Sequence, residues 1–140
     1  MTTDSGSRQF LITGACEAIS ETARTLVRLY EELGLANEKV RALRLAFDEA
    51  VSNALKHGHC GDRSQKITID CRWDDRNITL VVADQGPGFC CHDVPNPTLR
   101  NNLFRESGRG LYIIKSIMSD VCFNDKGNEI RMTLTRKEDC

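Results

Sequence analysis

Apolar residues recur at helical spacing through the first part of the chain. Ile19, Ala23, Leu26, Val27, Tyr30 and Leu33 return every three or four positions until Gly34, and predict a first helix stopped by that glycine. A second stripe, Val40, Leu43, Phe47, Ala50 and Ala54, predicts another helix with Asn37 as its cap, Glu38 in its first turn and Gly58 as its end. Ahead of both, "QFLIT" (9–13) reads as a short strand. After them the period changes to two. Ile67, Ile69, Cys71 and Trp73 alternate with polar residues, "DDRN" turns the chain, and Ile78, Leu80 and Val82 alternate again. Leu111, Ile114, Ile117, Met118 and Val121 describe a third helix, and "VCFN", the turn "DKGN" and alternating Ile130, Met132 and Leu134 form a closing hairpin.

Strands that alternate have one solvated face, so the helices are expected together on the other. The fold class is α/β: a two-layer sandwich with a mixed, mostly antiparallel sheet and helices on one face. The 140 residues suit a single domain spanning 1–140, with residues 1–8 and the last few, "RKEDC", as loose ends. Nineteen basic against twenty acidic residues supply no positive field for nucleic acid or an anionic membrane, which points to protein or small-molecule partners. No apolar run approaches the roughly 18 residues of a membrane span, and "MTTDSGSRQF" lacks the order of a secretory signal, so a cytoplasmic location is expected. Seven scattered cysteines, an odd number, read mostly as reduced thiols.

Three stretches carry chemistry. In "DEAVSNALKHG" (48–58), Glu49 and Asn53 project from the second helix on one side, at the border of its apolar stripe, with His57 a turn further on. A carboxylate and an amide oxygen there suit a proton acceptor and a hard cation such as Mg²⁺; an ordinary half-wet helix edge is the alternative. In "VVADQGPGF" (81–89), Asp84 keeps the inward parity of Leu80 and Val82 and needs a donor. The exocyclic amine of a purine would serve, with Gly86 and Gly88 permitting close approach; a Gly-Pro turn capped by Asp is the alternative. In "ESGRGLYIIKSIM" (106–118), Gly108 and Gly110 precede a helix, an arrangement suited to phosphate.

The order of these parts is itself informative. A Glu-x-x-x-Asn helix, a strand ending Asp-x-Gly-x-Gly-Phe, a lid-length loop and Gly-x-Gly-Leu opening a helix resemble the GHKL, or histidine-kinase-like, ATPase superfamily. Within it, "FDEAVSNALKHG", "DQGPGF" and "ESGRGLYIIKSIMSDV" are similar to the bacterial anti-sigma factor serine/threonine kinases, from about residue 10 to residue 136. The resemblance implies a Bergerat-type ATP-binding fold and a kinase that uses ATP and Mg²⁺. It implies phosphorylation of a serine on a small anti-sigma factor antagonist, sequestration of a sigma factor, and a homodimer. Carried over, it makes Glu49 the general base, Asn53 the Mg²⁺ ligand and Asp84 the adenine contact. It makes Gly86, Gly88, Gly108 and Gly110 close-approach and lid positions, followed by Leu111 of the same motif. Arg105 and Arg109 would lie over the phosphates or else be solvated, and His57 matches a position the family often fills with His.

Two other classes compete with this expectation. One is an ATP-dependent binding module without catalysis. The other, the catalytic domain of a two-component histidine kinase, is weakened because no His occurs before His57 and little chain precedes the second helix. A zinc site from Cys90, Cys91 and His92 with His57, His59 or Cys60 lacks any CxxC spacing and is not expected.

Overall fold

The computed structural model describes residues 5–55, 66–84, 114–124 and 128–136. Its elements are β1 (Gly6–Thr13), α1 (Cys16–Glu32), α2 (Asn37–Asn53), β2 (Lys66–Trp73), β3 (Asn77–Asp84), β4 (Asp120–Phe123) and β5 (Glu129–Thr135). A helical stretch at 114–117 precedes β4. The strands form one five-stranded sheet in the order β1-β2-β3-β5-β4, and all four of its ladders are antiparallel.

The alternation in sequence becomes the layering of the domain. Ile67, Ile69 and Cys71 of β2, Ile78, Leu80 and Val82 of β3, and Ile130, Met132 and Leu134 of β5 all turn to one face. There they join Leu26, Tyr30, Leu43, Phe47 and Ile114 in a single core, as expected of a sandwich with its helices on one side. The opposite face carries Thr68, Asp70 and Arg72, the last two paired at 2.7 Å. Helix α1 ends as its glycine requires. Gly34 takes φ +79°, its N–H bonds the Glu31 carbonyl and the Leu35 N–H bonds that of Tyr30, which is the Schellman arrangement.

Several details depart from the sequence expectations. β1 begins at Gly6, so Gly6, Ser7 and Arg8, expected among the loose N-terminal residues, are paired with Trp73, Arg72 and Cys71. Most of the side chains of this strand are exposed, so its main-chain ladder leaves little trace in the apolar pattern. A Cβ on Gly6 would stand 2.6 Å from the Trp73 ring, and only glycine lets the strand pass beneath the indole. Asn37 does not cap α2. It is the first helical residue, behind an extended Ala36 that makes no side-chain capping bond. Val121, counted in the third helix, lies in β4 opposite Met132.

Arg136 is the larger correction at the other end. Expected in a loose tail, it is 7% exposed. Its guanidinium donates to the carbonyls of Asp74 (2.6 Å) and Leu33 (3.0 Å), and its N–H donates to the Arg76 carbonyl (2.6 Å). One side chain thus ties the carboxyl end of α1 to the β2–β3 turn and the end of β5, with its charge at the negative pole of the helix. The turn itself is closed by the Asp74 carboxylate, which accepts the N–H groups of Asn77 and Arg76, each at 2.8 Å. Those two bonds hold the Asp74 carboxyl below its ordinary value of 3.8.

Among the described residues no helix is long and apolar enough to cross a membrane. Cys16 and Cys122 are exposed and in no disulfide, whereas Cys71 lies in the core beside Tyr30. Burial first, and then the nearby Asp70 charge, push the Cys71 thiol up to about 12.

Two outcomes are expected. Arg136→Ala removes charge-assisted bonds to two carbonyls and should lower stability by about 2 kcal/mol or more, read from the urea midpoint; an unchanged midpoint would show that the tie contributes nothing. Iodoacetamide at neutral pH should alkylate Cys16 and Cys122 in the native protein and reach Cys71 only after denaturation. Mass spectrometry finding Cys71 modified as fast as Cys122 would contradict a closed core.

Candidate functional site

Helix α2 positions two of the candidate residues through its own packing. Val40, Leu43, Ala46, Phe47, Ala50 and Val51 are buried where α2 packs on α1, β3 and β5, which leaves Glu49 and Asn53 half-buried at the rim of that stripe. Their four-residue separation puts them on the same side, one turn apart. Asp48, the other carboxylate of the motif, points into solvent and pairs with Arg44 at 3.2 Å, with both side chains 44% exposed. That exposure makes the pair a weak one and separates Asp48 from the site.

Asp84 is the last residue of β3. Its register partner on β2 is the fully buried Ile67, so its side chain faces the helical layer, as the inward parity predicts. Its own N–H donates to the Asn128 carbonyl at 2.9 Å, one step past the last paired residues of β3 and β5. The end of this strand is therefore held from both neighbours, and Asp84 itself is half-buried.

Helix and strands meet at a shared end. Lys39, in the first turn of α2, donates to the Thr135 carbonyl at 2.6 Å, and Thr135 pairs with Asn77 at the start of β3. From Lys39 to Asn53 the helix rises about 21 Å, and from Asn77 to Asp84 β3 extends about 23 Å. The helix packs over β3 and β5 and begins beside Thr135, and its length matches that of β3, so Glu49 and Asn53 lie toward the end of α2 remote from the Lys39 tie. Directly after Asn53 it widens into a π turn at residues 54–55, a distortion frequent at functional sites, where a continuing α-helix is expected from sequence. Nothing in the apolar pattern announces this change, because Ala54 stays buried through it.

Among the described residues this end offers two carboxylates and an amide oxygen, all able to accept hydrogen bonds. It fits a hard cation and a ligand that offers N–H groups. A groove of about 590 Å³ opens at the other end of α2, along Glu38, Lys39, Met118, Ser119 and Thr135, and includes none of these three residues. His57, Gly86, Gly88, Arg105, Gly108, Arg109, Gly110 and Leu111 lie outside the described residues, as do Cys60, Cys90, Cys91, His59 and His92 of the disfavoured zinc site.

Comparison with known proteins gives this arrangement a context. The model of the histidine kinase-like ATPase domain matches residues 12–134. The serine-protein kinase RsbW of Staphylococcus epidermidis is 30% identical over 127 residues, which cover 84% of this chain and 79% of that protein. The RsbW of Bacillus licheniformis is 27% identical over 116 residues, covering 78% and 72%. Among solved structures, that of the RsbU and RsbW domains of a Mycobacterium tuberculosis protein superposes with a TM-score of 0.64 at 19% identity. It covers 94% of this chain and 32% of the other, so this chain spans about a third of that protein's length and shares the fold of that part.

Proposed function

This chain belongs to the anti-sigma factor serine/threonine kinase family of the histidine kinase-like ATPases, and from that membership we propose a specific activity. It is a cytoplasmic protein kinase and anti-sigma factor that binds ATP with Mg²⁺. It phosphorylates a serine on a small anti-sigma factor antagonist and sequesters a sigma factor. Its partners in this reading are the antagonist, the sigma factor and a second copy of the chain, with no direct contact to nucleic acid or membrane.

What supports the reading is that Glu49 and Asn53 lie half-buried on the rim of α2, which packs over β3 and β5, and that Asp84, also half-buried, ends β3 facing the helical layer. Asn53 offers the metal an amide oxygen, and few protein ligands suit an ion that keeps water and phosphate oxygens around it. Bound Mg²⁺–ATP supplies the phosphoryl donor, with its charge bridged by the metal. Glu49 accepts the proton of the partner serine, from a position where packing of α2 fixes its backbone. Asp84 accepts the exocyclic amine of adenine. His57, Gly86, Gly88, Arg105, Gly108, Arg109, Gly110 and Leu111 complete the nucleotide contacts in this proposal. Phosphoryl transfer depends mainly on alignment and charge neutralisation, and a rigid helix rim is suited to both.

Kinase and passive binding module differ in what two substitutions do. Glu49→Gln should leave Mg²⁺–ATP affinity nearly intact while slowing phosphorylation of the antagonist by on the order of 10²-fold, the usual worth of a positioned base. Asn53→Ala should weaken the metal-dependent part of nucleotide binding itself. Label from γ-labelled ATP would be scored on serine of the antagonist. A wild type that binds both partner and ATP yet transfers nothing would overturn the kinase reading in favour of the binding module, and label on a histidine of this chain would point to the histidine kinase class.

A further inference from the structure

Asn124 and Asn128 stand at the two ends of the β4–β5 turn and grip each other through their amides. The Asn124 Nδ2 donates to Asn128 Oδ1 at 2.6 Å, and its Oδ1 accepts the N–H groups of Asn128 (3.1 Å) and Glu129 (3.3 Å). The Asn124 N–H also donates to the Glu129 carbonyl at 3.1 Å. The Asn128 peptide is thus oriented from one side by Asn124, and its carbonyl on the other side accepts the Asp84 N–H at 2.9 Å.

We infer that this amide clasp is a positioning device for Asp84 and thereby helps select a purine that carries a 6-amino group. The inference rests on the proposed contact between Asp84 and the base. Its physical basis is the tendency of strand ends to fray. The last register pair of β3 and β5 is Ala83 with Glu129, and Asp84 lies one residue beyond it. A carboxylate there keeps its direction only as well as the rung behind it is kept. Asn124 supplies that rung by fixing the peptide which accepts from Asp84, while Ile67 holds the strand from the β2 side. Asn124 is exposed, so its bonds add little net stability, and their consequence is geometric. Small displacements of a recognition group are expensive in an aligned site.

Calorimetry with ATP and with inosine triphosphate, whose purine bears an oxygen in place of the 6-amino group, tests this in the presence of Mg²⁺. Asn124→Ala should weaken ATP binding by roughly three- to tenfold, the worth of one hydrogen bond, and change inosine triphosphate binding by less than about twofold. Asn124→Asp should restore the ATP preference, because its Oδ1 still accepts both main-chain N–H groups and the Asn128 amide can turn to donate. Equal loss of both nucleotides in Asn124→Ala, or no loss of either, would overturn the clasp. Asp84→Asn separates the two levels. If it leaves the ratio of the two affinities unchanged, the base contact fails and the clasp with it. If it abolishes the preference while Asn124→Ala does not touch it, the clasp alone is wrong.

Discussion

Helix α2 can bury its apolar stripe against α1, β3 and β5 in only one rotational setting, and nearly everything else at the candidate site follows from that constraint. Leu43, Ala46, Phe47 and Ala50 are almost wholly withdrawn from water, so turning the helix by one residue would expose them and bury charge instead. With rotation fixed, Glu49 and Asn53 have no choice but the rim. Translation along the axis is fixed too, because Lys39 is tied to Thr135 at the far end of the strands. Two side chains at the carboxyl end of the helix are therefore located by contacts made as much as about 21 Å away.

The sheet supplies the third member by equally indirect means. Its order places β3 between β2 and β5, so Asp84 ends a strand that is paired on both edges. An inward-facing carboxylate at such a place is costly unless donors meet it. In the proposed site the same partial burial would favour a ligand that donates to the carboxylate over one that does not. In the proposed reaction helix rim and strand end contribute different qualities: one would align a base and a metal ligand, the other would discriminate among ligands.

How far the sequence reveals this depends on which physical signal each feature leaves. Period-3.6 and period-2 stripes disclose α1, α2, β2, β3 and β5, because burial of one face is what those periods record. The start of β1 leaves no such record. Its pairing is main-chain, and most of its side chains face water. Arg136 is hidden for the opposite reason: a charged residue near a terminus reads as solvated, while its actual partners are carbonyls of Leu33 and Asp74, brought close only by the finished fold. The Asn37 cap fails because a polar residue ahead of a stripe fixes a helix start only to within a residue. Of the candidate site, the spacing of Glu49 and Asn53 and the parity of Asp84 are local and legible. The grip of Asn124 on the peptide behind Asp84 is not, since it joins two hairpin ends to a strand forty residues earlier in the chain.

The small residues of α2 show why stability and positioning are separate properties here. Ala46, Ala50 and Ala54 recur every four residues on the buried face, the last two next in sequence to Glu49 and Asn53. An alanine contributes little transfer free energy compared with the leucine or phenylalanine that could occupy a helix stripe, so these positions do not maximise the core. What they set is distance. A methyl side chain lets the helix axis lie close to the elements it packs on, and each larger side chain would lift the axis or strain its neighbours. A lift of even an ångström would carry the Glu49 carboxylate and the Asn53 amide away from the strand end while leaving the helix intact. A stripe of alanines beside the candidate rim thus gives up burial in return for close packing of the helix on its neighbours, and in the proposed reaction that packing would govern how the base, the metal ligand and the nucleotide contact face one another.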